Sequence, residues 1–67
     1  MGDVERQIRD LGRVRTGEIL EVWHHGVLRH RGELEGFLPR LGVVVIRETG
    51  NGDRKMISVE DHDFVYG

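Results

Sequence analysis

The sequence predicts a mainly β fold, in which a short N-terminal helix is followed by a strongly bent, five-stranded antiparallel small barrel. Three observations carry this expectation. Apolar and charged residues alternate with period two from Arg13 onward. Turn-forming glycines recur at short intervals, as between hairpin strands. Gly32 and Gly36 fall on one face of a single strand, as expected where it must curl to close a small barrel. The 67 residues are enough for one domain, so residues 1–67 are read as a single unit, with the helix at about 3–12 and the barrel at about 13–67.

Asp3 is the expected helix cap, and Val4, Ile8 and Leu11 form one apolar stripe that Gly12 terminates. A helix of about two turns does not persist alone in water, so its stripe should dock on the end of the barrel. Strand one is expected over residues 13–24, with Val14, Thr16, Leu20 and Val22 on one face and Ile19 and Trp23 on the other. His25 and Gly26 form the first turn. In strand two, Leu28, His30, Gly32, Leu34 and Gly36 should face inward, while Arg29, Arg31, Glu33 and Glu35 face out. Residues Pro39 to Gly42 interrupt the pattern. The β-branched run Val43, Val44, Val45 and Ile46 reads as a central strand buried on both faces, and Leu34 and Val45 are expected core residues. Thr49 to Asp53 is a hairpin signal, Met56, Ile57 and Val59 mark strand four, and Phe64 to Tyr66 form the last strand after a turn at Glu60 to Asp63.

Composition narrows the function. There is no cysteine, so disulfides and thiolate zinc sites are excluded and a reducing, cytoplasmic setting is the default expectation. No apolar run approaches the roughly 18 residues of a membrane span, and the N-terminus lacks the pattern of a signal peptide, so no membrane partner is expected. Ten Lys and Arg against twelve Asp and Glu leave a net charge of −2, which gives polyphosphate no general attraction. Any nucleic-acid site must be local.

Catalysis is not expected. Ser58 is the only serine, and no glycine-rich phosphate loop precedes a helix, so no catalytic residues and no cofactor are assigned. His24, His25 and His30 cluster around the first hairpin, but adjacent strand residues point to opposite faces, and His24 and His25 are not expected to share a metal ion. No metal site is assigned. Arginine outnumbers lysine nine to one, and a guanidinium suits base stacking and bidentate phosphate contact. The candidate nucleic-acid residues are Arg40, Arg54 and Lys55, with Phe37 and Trp23 as stacking surfaces.

The stretch Gly32-Glu33-Leu34-Glu35-Gly36-Phe37, followed by Leu38-Pro39-Arg40-Leu41-Gly42 and the run of valines, resembles the first motif of the Sm/LSm/Hfq family of small β-barrels, and of SH3-like barrels more generally. Leu38 and Gly42 stand where that family usually carries the Asp and Asn that shape its base-binding loop. The turn Glu60-Asp61-His62-Asp63 replaces its basic second motif. The resemblance implies a ring-forming module that binds RNA or another nucleic acid with non-standard specificity. Its ring would be closed by pairing strand four of one subunit with strand five of the next, through Met56, Ile57, Val59, Phe64 and Val65. The alternative is a protein-interaction or structural barrel that binds a protein partner and no nucleic acid.

Overall fold

The computed structural model describes residues 6–67, which form a 3₁₀ turn, Leu11–Arg13, and five strands: β1 (Ile19–His24), β2 (Val27–Leu38), β3 (Val43–Glu48), β4 (Arg54–Ser58) and β5 (Asp63–Tyr66). All neighbours in the sheet are antiparallel, and the order is β4-β3-β2-β1-β5. The mainly β expectation stands. The strongly bent, closed barrel does not: the sheet is open, and β4 and β5 are its two ends with no pairing between them. The resemblance to Sm-like and SH3-like barrels therefore fails at the level of the fold.

A physical reason lies along β5. The side of β5 turned away from β1 is occupied by residues 6–8: Gln7 bridges Val65, and the Ile8 N–H donates to the Phe64 carbonyl at 2.8 Å. The Arg6 guanidinium donates to the Tyr66 carbonyl at 2.7 and 3.2 Å. Backbone groups that a barrel would use for closure are already satisfied.

Of the expected helix at 3–12, the described residues keep only Arg6 in α-helical conformation. The expected cap, Asp3, and residues 3–5 lie outside the described residues. Gln7 and Ile8 pair with β5, and Asp10 caps the short 3₁₀ turn by accepting from the Gly12 N–H at 3.0 Å. Leu11 and Val14 still reach the core, so their apolar character is used in a tighter turn than an α-helix. Strand one is shorter than 13–24, because Gly17, at φ 96°, turns the chain before Ile19.

Alternation holds in β1, where Leu20 and Val22 are fully buried, and in β3, where Val44 and Ile46 are. Val43 and Val45 face the other way and are only half-buried, so β3 buries one face and Val45 is not a core residue. Strand β2 departs most. Its register slips where Arg29 and Glu35 are each left without a partner, and each such bulge flips the parity that follows. Leu28 therefore lies opposite Trp23 and is exposed, Gly36 lies opposite Val45 on the outer face, and Phe37 lies opposite Val44 and packs on the core.

The two β2 glycines have different work. A Cβ at Gly32 would stand 2.3 Å from the Arg47 carbonyl oxygen, so this position is a close approach of β3 that only glycine permits, whereas a Cβ at Gly36 would meet open space. The core comprises Leu11, Val14, Leu20, Val22, Leu34, Val44, Ile46, Ile57 and Phe64, with Ile8, Phe37 and Val59 packed at its margin. The His25-Gly26 turn forms as expected, with φ of 51° and 74°. No described helix is long and apolar enough to cross a membrane.

Candidate functional site

Strand β4 has β3 on one side and no strand on the other, and β5 is flanked by residues 6–8, which leaves β4 as the open edge among the described residues. Beside it the outer face is apolar. Met56 is 66% exposed and lies across from Val45, which lies across from Gly36. The next row runs Ser58, Val43, Leu38, and Leu41 in the Pro39–Gly42 turn is 69% exposed at its end. At the β2 end of the first row Gly36 adds no side chain, and a Cβ there would meet open space.

On its other flank the strip meets a polar clamp. The Glu35 carboxylate accepts from Arg47 Nε at 2.8 Å and is paired with Arg54 Nε at 2.7 Å. The hydrogen bond from Arg47 and the charges of Arg47 and Arg54 hold Glu35 below the usual carboxylate range against the opposing effect of burial. Because Glu35 is the bulged residue, its side chain can reach both arginines from between the two ladders.

The structure does not bring the five sequence-predicted nucleic-acid residues together. Arg40 is exposed in the turn after β2, Arg54 is committed to Glu35, and Lys55 sits on the core side, where its charge lowers the Glu48 pKa. Phe37 packs on the core. Trp23 is on β1, separated from β4 by two strands, half-buried, with its indole N–H donating to Glu21 Oε1 at 3.2 Å. A cleft of about 470 Å3 beside it is lined by Arg6, Glu21 and Asp63, a mixture of charges that makes no basic track. An Sm-like ring that binds RNA is overturned with the closed barrel on which it depended.

The expected interface residues divide as well. Met56 is available, whereas Ile57 and Phe64 are core residues, Val59 packs at the core margin, and Val65 is half-buried against Gln7. Leu38, Leu41, Val43 and Val45 complete the exposed strip and were not assigned to the interface from sequence. For Leu38 and Leu41 the signal was their place on either side of a Pro-containing turn, whereas the unbroken apolar run Val43 to Ile46 carries no alternation that would mark Val43 and Val45 as outward.

A second cleft, of about 360 Å3, opens beside His30 and Glu48. His30 lies on the inner face, as its alternation predicts, and its Nδ1 is 2.6 Å from Glu48 Oε2. This hydrogen bond is the largest influence lowering the Glu48 pKa, with burial opposing it and the charges of His30 and Lys55 assisting. No protein-family model, curated protein or solved structure matches this chain.

Proposed function

We propose that this chain is a protein-interaction module that associates by strand pairing at β4, and that the occupant of this edge is the β4 of a second copy. The observation that carries the reading is the contrast between the two ends of the sheet: β5 is covered by residues 6–8, while β4 is open and borders an exposed apolar strip. Its role is binding and assembly, not catalysis.

Register supports self-pairing. Laid antiparallel on itself about Met56, strand β4 sets Arg54 opposite Ser58, Lys55 opposite Ile57 and Met56 opposite Met56. No like charges are directly opposed. Sliding by one residue joins the outer face of one copy to the core face of the other, and recentring on Lys55 opposes two lysines. In the favoured register the row Gly36, Val45, Met56 runs on into the same row of the partner, burying apolar surface that one copy leaves in water. A pairing of β4 with β5 is disfavoured because the β5 edge is taken.

Sedimentation over a concentration series tests this reading. The expected result is a reversible species of twice the 7.7 kDa chain mass that Met56→Lys, which opposes two charges at the two-fold axis, converts to a folded monomer. A monomer at every concentration, or a dimer indifferent to Met56→Lys, overturns it. A heterologous peptide bound at β4 of a monomeric chain favours a different protein as occupant.

A further inference from the structure

The metal-site expectation was negative because His24 and His25 are adjacent on a strand. The relevant neighbour comes from elsewhere. Strands β1 and β5 pair with Trp23 opposite Asp63, so continuing that ladder by one residue sets His24 opposite His62. Their ring centroids are 5.1 Å apart.

Both rings are held in the same way. His24 Nδ1 lies 2.7 Å from the Asp61 carbonyl oxygen, and His62 Nδ1 lies 2.8 Å from the Ser58 carbonyl oxygen. A carbonyl oxygen can only accept, so each Nδ1 carries a proton and donates it. In the neutral ring this leaves the lone pair on Nε2. An Nδ1–H donated to a backbone carbonyl is also the support that orients metal-ligating histidines and raises their basicity.

The spacing fits a shared ion. With metal–nitrogen distances of about 2.0–2.1 Å and a tetrahedral angle, two imidazoles bound through Nε2 have centroids about 5 Å apart. His25 is different: its centroid is 4.0 Å from that of His24, edge-on, which is too close for a second ligand at that angle. Among the described residues no group of three or more His, Cys, Asp or Glu side chains is set to hold a metal ion. A site built on two imidazoles keeps its remaining positions for water or for a donor brought by another molecule. Nitrogen donors select late first-row ions over calcium or magnesium.

We propose that His24 and His62 form an open two-imidazole site for a late first-row divalent cation such as Zn²⁺. The site is separate from the β4 edge, lying at the β1–β5 end of the sheet.

Titration of the full chain with Zn²⁺, followed by calorimetry and by the imidazole ¹⁵N resonances, tests the proposal. Expected is one ion per chain, with the His24 and His62 Nε2 signals moving together and Mg²⁺ without effect. Removing a ligand by His24→Ala or His62→Ala should weaken Zn²⁺ by at least about tenfold, the lower end of what loss of mere outer-shell support costs. His25→Ala should leave affinity nearly unchanged. The ring resonances of the unmutated chain identify the ligands even where a variant misfolds. Absence of any heat or ring shift at millimolar Zn²⁺, affinity that survives His62→Ala, or shifts centred on His25 or His30 would overturn the assignment.

Discussion

Among the described residues, Glu48 and Glu35 tie stability to pH. Each has its pKa lowered from 4.5 in the folded chain, Glu48 chiefly by the hydrogen bond from His30 and Glu35 chiefly by that from Arg47. A carboxylate with a depressed folded pKa contributes stability that is fully present above its unfolded value and is lost as pH falls through the folded one. The urea midpoint should therefore drop as pH is lowered from above 4.5 to well below it, and the drop should be smaller in Glu48→Gln and in Glu35→Gln. An unchanged pH profile in both variants would mean that neither contact contributes to stability. Glycine offers a second comparison at this scale. Gly32→Ala drives a methyl into the Arg47 carbonyl and should cost roughly 1–3 kcal/mol, as overpacking does. Gly36→Ala meets open space and should leave the melting temperature close to that of the parent.

Strand β1 and the His25-Gly26 turn were legible because period-two burial and positive-φ turn chemistry are local properties, whereas the unbroken apolar run of β3 showed a strand but hid that only one of its faces is buried. Strand β2 was half legible. Its inner residues His30, Gly32 and Leu34 follow the alternation, but an extra residue at each bulge reverses the faces of Leu28, Gly36 and Phe37, and periodicity carries no mark of where a bulge falls. The N-terminal stripe of Ile8 and Leu11 has helical spacing, yet pairing with β5 and a 3₁₀ turn bring the same residues to the core. The His24–His62 pair was invisible for a related reason: it depends on the register between β1 and β5, which are distant in sequence. Core assignments on β2 and β3 make this testable. Leu34→Ala should cost about 2–5 kcal/mol, and Val45→Ala distinctly less, since Leu34 is buried and Val45 lies on the half-exposed face. Equal losses in chemical denaturation would mean that the outer face of β3 is covered.

For the molecule as a whole, the decisive feature is that its two sheet ends are treated differently. A sheet with both ends open can pair β4 of one copy with β5 of the next, and repetition of such a head-to-tail contact extends without limit unless it closes. With residues 6–8 on β5, the proposed self-complementary β4 contact is the one left, and association through it would stop at two copies. Ile8→Pro probes this directly, because proline lacks the N–H that bonds the Phe64 carbonyl. Loosening the segment should uncover the β5 edge and shift the sedimentation profile from the two-copy species toward larger, concentration-dependent ones. Adding Met56→Lys to the same chain should suppress them, since both kinds of contact use β4. Amide spectra that retain the β1–β4 resonances would show that the sheet itself is intact in these variants. If Ile8→Pro with an intact sheet sediments like the parent, the covering of β5 does not limit assembly, and the restriction to two copies must reside in β4 alone.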